Sequence, residues 1–136
     1  MKCYLFNLSF IVLLVLGSLT VSVPAQAQED CAAGIMFIGS GLILGTPDND
    51  RLSGMAANDE IYGYDCHDEL RGLGGNDKIY GGSGSDRISG GDGDDELYGG
   101  DDDDYIVGGP GNDYIDGGAG ADVCIGGGGV DVIVNC

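Results

Sequence analysis

The chain has 136 residues, 28 of them Gly, with 23 acidic residues against five basic ones and a formal net charge of −18. Glycine has no side chain to bury and loses more backbone entropy on folding than any other residue, so a thick-cored enzyme is not expected. Nucleic-acid binding is disfavoured as well, because phosphate contacts need Lys and Arg.

The first element is an apolar run from Leu5 to Leu16 behind Met1-Lys2, interrupted only by Asn7 and Ser9 and followed by Ala25-Gln26-Ala27. A short basic start, an apolar stretch and a small-x-small site read as a cleavable export signal over residues 1–27, with the mature chain starting at Gln28. The run is shorter than the ~20 residues a spanning helix needs, so no stable membrane insertion is expected. The product would be secreted, to the extracellular space or a periplasm. Four cysteines remain after cleavage, Cys31, Cys66, Cys124 and Cys136. An even number in an exported chain reads as disulfides.

Residues 28–44 read as an N-terminal cap. Met36 to Leu44 looks like a decayed repeat in which Gly41 replaces an Asp, and Leu42-Ile43-Leu44 is expected to supply the first strand without a metal. Ten nine-residue units then run from residue 45 to residue 134 without insertion, leaving 135–136 as a C-terminal cap. Each unit opens on Gly, from Gly45 to Gly126. Every sixth position is Asp (Asp50, Asp59, Asp68, Asp77, Asp86, Asp95, Asp104, Asp113, Asp122, Asp131), and every eighth is apolar, from Leu52 to Ile133, with Cys124 in the ninth unit.

The chemistry follows from those columns. Glycine at positions one, two and four lets the backbone turn with positive φ and expose its carbonyls. Ca²⁺ takes six to eight oxygen ligands, and the position-six Asp adds a charged oxygen beside those carbonyls. Positions seven to nine are expected to form a three-residue strand whose eighth side chain points inward. The acids are mostly Asp, 19 against four Glu, as suits a short carboxylate in a turn or on a metal.

Later units, such as Gly81-Gly82-Ser83-Gly84-Ser85-Asp86-Arg87-Ile88-Ser89, read G-G-x-G-x-D-x-U-x with U a large apolar residue. This resembles the calcium-binding nonapeptide of the repeats-in-toxin (RTX) family, the hemolysin-type calcium-binding repeat. The resemblance implies an all-β, right-handed parallel β-roll with two nonapeptides per turn and Ca²⁺ between stacked turns. Loops eighteen residues apart would share a site, giving several ions, up to about eight by the family model. Implied metal ligands are Asp77, Asp86, Asp95, Asp104, Asp113, Asp122 and Asp131, with Gly82, Gly84, Gly91, Gly93, Gly100, Gly109, Gly111, Gly118 and Gly120 supplying the loop backbone. The first three units depart from the pattern, with Thr46 and Asp48, Met55 and Ala57, and Tyr64 and Cys66 at positions two and four. Side chains resist positive φ, so Asp50, Asp59 and Asp68 are expected to make weaker sites.

On stacked turns ~4.8 Å apart, Cys66 and Cys124 lie three turns from each other, too far for a disulfide. Cys31 and Cys136 would lie further still, which leaves Cys124–Cys136 and Cys31–Cys66. The lone His67 sits in a turn position without metal partners, and no catalytic constellation is present, so no enzyme is expected. Tyr62, Tyr80 and Tyr98 fall on one side of the roll. They read as an outward ladder, or, in the alternative function, as a strip with which a Ca²⁺-dependent adhesive module would meet a polysaccharide or an extracellular surface. The leading function is exported calcium binding, with an expanded chain becoming β-rich when the ion neutralises its charge.

Overall fold

A computed structural model describes residues 31–136; the expected export signal lies outside these residues. Twelve strands follow one another: β1 (Ala33–Ile38), β2 (Leu42–Leu44), β3 (Asn49–Ser53), β4 (Glu60–Asp65), β5 (Glu69–Gly74), β6 (Lys78–Ser83), β7 (Arg87–Asp92), β8 (Glu96–Asp101), β9 (Tyr105–Pro110), β10 (Tyr114–Ala119), β11 (Val123–Gly128) and β12 (Val132–Val134). They form two parallel six-stranded sheets, β1-β3-β5-β7-β9-β11 and β12-β10-β8-β6-β4-β2. Each strand pairs with the one two places on; from β2 onward this joins residues eighteen apart, such as Ile79 with Leu97 and Ile88 with Ile106, while β1 meets β3 at a shorter offset across a register shift. The result is a parallel β-solenoid of six turns, each built from one strand of either sheet.

Two boundaries differ from the sequence reading. Ten repeats supply ten strands, but β1 precedes the expected first strand, pairing through Met36–Arg51 and Ile38–Ser53, so the decayed segment completes a sixth turn. From β4 to β11 the strands are six residues long, not three. Pairing runs on into positions two and three of the next unit, as in Gly82–Gly100 and Ser83–Asp101. Two left-handed residues in neighbouring turns bend the chain alike, so the ladder survives the bend.

The core is a single file between the sheets. Ile43, Leu52, Ile61, Leu70, Ile79, Ile88, Leu97, Ile106 and Ile115 are all buried, with Cys124 packed against their end. Ile133, expected to be inward, is 42% exposed because no further turn covers it. Positions seven and nine face outward. Tyr62, Tyr80 and Tyr98 stack with ring centroids 4.7 and 4.9 Å apart and planes within 13°. On the other sheet Arg51 reaches Glu69 at 2.5 Å, and Arg71 pairs with the same carboxylate. Both disulfides are formed, Cys31–Cys66 and Cys124–Cys136, with Cα atoms 5.8 and 6.0 Å apart.

Candidate metal centre

Each loop between strands carries its position-six carboxylate inward. The Asp side chains from Asp50 to Asp113 are at most 4% exposed, while Asp122 and Asp131 are half-buried near the open end. One oxygen of each links two turns. The N–H of Asp77 donates to Asp95 Oδ1 at 2.8 Å, that of Asp95 to Asp113 Oδ1 at 2.9 Å, and that of Asp104 to Asp122 Oδ1 at 2.8 Å. The second oxygen, Oδ2, is buried without a hydrogen-bond partner in Asp68, Asp77, Asp86, Asp95, Asp104, Asp113 and Asp122. An unsatisfied buried polar group costs about 1–3 kcal/mol, more when charged, against a net domain stability of about 5–15 kcal/mol. Seven such oxygens would be relieved by a proton or by a cation.

Burial raises these carboxyls, most of all Asp86, to about 8, with Asp68 and Asp95 held at about 7 and Asp104 at about 6. Asp77 and Asp113 move in the same direction for the same reason. In each, the amide donated from the previous turn pulls the other way, and neighbouring carboxylates in the stack add to the rise.

The loop glycines do two different jobs. At position two, Gly82, Gly91, Gly100, Gly109, Gly118 and Gly127 have φ between 103° and 127°, the left-handed region that disfavours a Cβ. Position one does not behave as expected. None of its ten glycines is left-handed; glycine is needed there for space. A Cβ on Gly81 would run into Asp86 Oδ2 and lie 2.5 Å from the Gly99 carbonyl oxygen, and Gly63, Gly99 and Gly108 repeat the arrangement. Position four is left-handed at Gly84, Gly93, Gly111 and Gly129 but not at Gly120, where a Cβ would meet the Asp102 carbonyl.

The backbone does not group the first three repeats together. Repeat three adopts the left-handed backbone despite its side chains, at Tyr64 (φ 89°) and Cys66 (φ 75°), as do Leu73 and Asp102 further on. Asp68 accordingly has the bare Oδ2 of the later repeats. Only repeats one and two keep ordinary φ at both positions. Their carboxylates are capped instead: the N–H of Thr46 donates to Asp50 Oδ2 at 2.5 Å, and that of Met55 to Asp59 Oδ2 at 2.8 Å.

A second ladder was missed in the sequence. Position-five side chains accept the backbone N–H eighteen residues ahead, as Asn58 Oδ1 does from Asn76 and Asn112 Oδ1 from Val130. His67 belongs here, its Nδ1 accepting the Ser85 N–H at 2.8 Å. The signal lay in the run of Asn and Asp at that column, which share an acceptor oxygen at the same reach.

Among the described residues no three His, Cys, Asp or Glu side chains converge. A metal held by these loops would draw on carboxylates and backbone carbonyls together, a hard oxygen set that suits Ca²⁺ better than the nitrogen and sulfur set of Zn²⁺. The bare Oδ2 atoms fit such an ion.

A parallel solenoid that buries one loop carboxylate in each of eight successive half-turns defines an aspartate-loop β-roll. The family model of the RTX calcium-binding nonapeptide repeat matches in four copies, at residues 44–79, 71–106, 80–113 and 98–133. The copies together span residues 44–133, well over half of the sequence, and the chain belongs to this family. No curated protein and no solved structure gives a significant match.

Proposed function

We propose that this chain is an exported, non-enzymatic protein whose loops bind several Ca²⁺ ions, and that the ions convert it from an expanded chain into the folded roll. The row of buried, partnerless Asp Oδ2 atoms carries this reading, because like charges stacked at turn spacing repel until a cation lies among them. Asp68, Asp77, Asp86, Asp95, Asp104, Asp113, Asp122 and Asp131 would be the charged ligands, with the loops of Gly82, Gly84, Gly91, Gly93, Gly100, Gly109, Gly111, Gly118 and Gly120 lending carbonyls. Bound Ca²⁺ supplies positive charge and oxygen coordination; the loops position the oxygens and exclude water. Two disulfides support an oxidising compartment. Isothermal titration with Ca²⁺ against Mg²⁺, with circular dichroism in each, tests the proposal. Equal β content in EDTA and in millimolar Ca²⁺ would contradict it.

The adhesive reading takes second place. The tyrosines of the ladder are half-buried and their ring faces are turned on one another, whereas stacking on a sugar needs an open face. Glycan binding that falls on Tyr80→Ala with Ca²⁺ uptake unchanged would raise it to first.

A further inference from the structure

We propose that the first two nonapeptides, with β1 and β2, form a metal-independent template on which the calcium-dependent turns stack. The inference rests on the calcium reading for the third repeat onward, but its own grounds are separate. Both oxygens of Asp50 and Asp59 are satisfied by the chain itself. Asp50 Oδ1 accepts the Ile35 N–H at 2.5 Å, its Oδ2 accepts the Thr46 N–H at 2.5 Å, and the Thr46 hydroxyl lies 3.0 Å from both. Asp59 Oδ1 accepts the Gly41 N–H, and its Oδ2 accepts the Met55 N–H at 2.8 Å. Neither carboxylate has a buried oxygen left over, whereas each of the seven from Asp68 to Asp122 does.

The cause is the backbone at position two. Thr46 and Met55 are the two position-two residues of the ten that stay outside the left-handed region. Rotation about their N–Cα bonds differs from that of every later repeat, and theirs are the position-two amides that reach the carboxylate of their own loop. A buried carboxylate whose two oxygens both accept hydrogen bonds leaves no unpaired polar atom for a metal to satisfy. Each later loop trades that amide for a free oxygen.

Covalent closure acts at this end as well as at the other. Cys31, at the start of the described chain, is bonded to Cys66 in the loop of repeat three, which ties β1 down across the template. A roll is nearly one-dimensional, so its first turn is the costly one and later turns add on a formed edge. A template that needs no ion offers β3 and β4 as that edge before Ca²⁺ arrives. It also revises the ion count. Shared sites would lie at Asp68/Asp86, Asp86/Asp104 and Asp104/Asp122 on one side and Asp77/Asp95, Asp95/Asp113 and Asp113/Asp131 on the other, about six in place of eight.

Hydrogen exchange read by mass spectrometry on the disulfide-intact protein tests the template. In EDTA, amides within residues 35–62 should exchange slowly and those within 78–134 fast, with the second group becoming slow on Ca²⁺ addition. Calorimetry should give about six Ca²⁺ per chain for wild type and for Asp59→Asn, and about four for Asp95→Asn, which is shared by two sites. Fast exchange of residues 35–62 in EDTA, or an Asp59→Asn stoichiometry reduced like that of Asp95→Asn, would overturn the proposal. If no Ca²⁺ binds at all while residues 35–62 remain slow, the calcium reading fails and the template stands.

Discussion

The backbone N–H of Asp86 donates to Oδ1 of Asp104 at 2.8 Å, one full turn further along the solenoid. The same carboxylate thus fastens two turns with one oxygen and leaves the other, Oδ2, buried and bare.

Asn and Ala at Asp104 separate those two tasks. Asp104→Asn keeps a carbonyl oxygen for the Asp86 amide but removes the charge, so Ca²⁺ stoichiometry should fall by about two ions. Asp104→Ala should lose the same ions and also a charge-assisted hydrogen bond of about 1.5–3 kcal/mol. Calorimetry checks the first effect, and the melting temperature in saturating Ca²⁺ the second. Equal melting temperatures for the two variants would show that the turn-to-turn bond contributes nothing.

Protons and calcium should compete. Unfolded Asp titrates near ~3.9, while burial places the folded Asp68, Asp86, Asp95 and Asp104 carboxyls at about 7, 8, 7 and 6. The raised groups stabilise the metal-free roll below the unfolded value, and that contribution is lost as pH rises through roughly 6–8. In EDTA, β content should therefore grow on acidification toward about pH 4.5, whereas in Ca²⁺ the apparent affinity should drop over the same descent. A circular-dichroism titration in EDTA in which β content rises with pH would contradict this.

Two alanine substitutions test why glycine opens each repeat. A Cβ on Gly99 would run into Asp104 Oδ2 and the Gly117 carbonyl, while one on Gly128 would meet nothing within 4 Å. Gly99→Ala should lower stability in Ca²⁺ by about 1–3 kcal/mol through overpacking. Gly128→Ala should be neutral or gain up to about 1 kcal/mol from a stiffer unfolded chain. Thermal melts in Ca²⁺ decide, and similar losses in both would mean that space at position one is not the constraint.

The two disulfides should differ in worth. Cys31–Cys66 closes a separation of 35 residues and Cys124–Cys136 one of 12; loop entropy gives about 4 and about 3 kcal/mol respectively. Replacing each pair by Ser should lower the melting temperature in Ca²⁺ in that order. A larger drop for the Cys124–Cys136 pair would show that loop length does not set the ranking.

The period made most of this fold legible. A nine-residue spacing of Gly, Asp and a large apolar residue fixes which side chains point inward, and through the stacking distance it left the two cysteine pairs that are observed. What escaped the sequence depends on backbone dihedrals. Gly81 and Gly82 are adjacent and identical in the chain, yet one is kept small by the carboxylate of Asp86 and the other by a φ of 122°. Tyr64 and Thr46 both replace glycine at position two, but only Tyr64 turns left-handed. Composition does not distinguish them, because both put a side chain where the pattern has glycine and the difference lies in the dihedral alone. β1 was hidden for a related reason: its residues carry no repeat signature and are ordered by pairing with β3.

Alternate repeats belong to opposite sheets, so the solenoid has a natural step for gaining or losing length. Removing eighteen residues, such as 63–80, would keep each sheet's strands in place and set Tyr62 over Tyr98, but it would bring like charges together, Arg51 over Arg87 and Glu60 over Glu96. Removing nine, such as residues 63–71, would preserve the Gly, Asp and apolar columns but transpose everything downstream: Tyr80 would stand over Ser53, and Ser89 over Tyr62. The inside of this molecule counts in nines, its tyrosine ladder in eighteens, and its alternating charges in thirty-sixes.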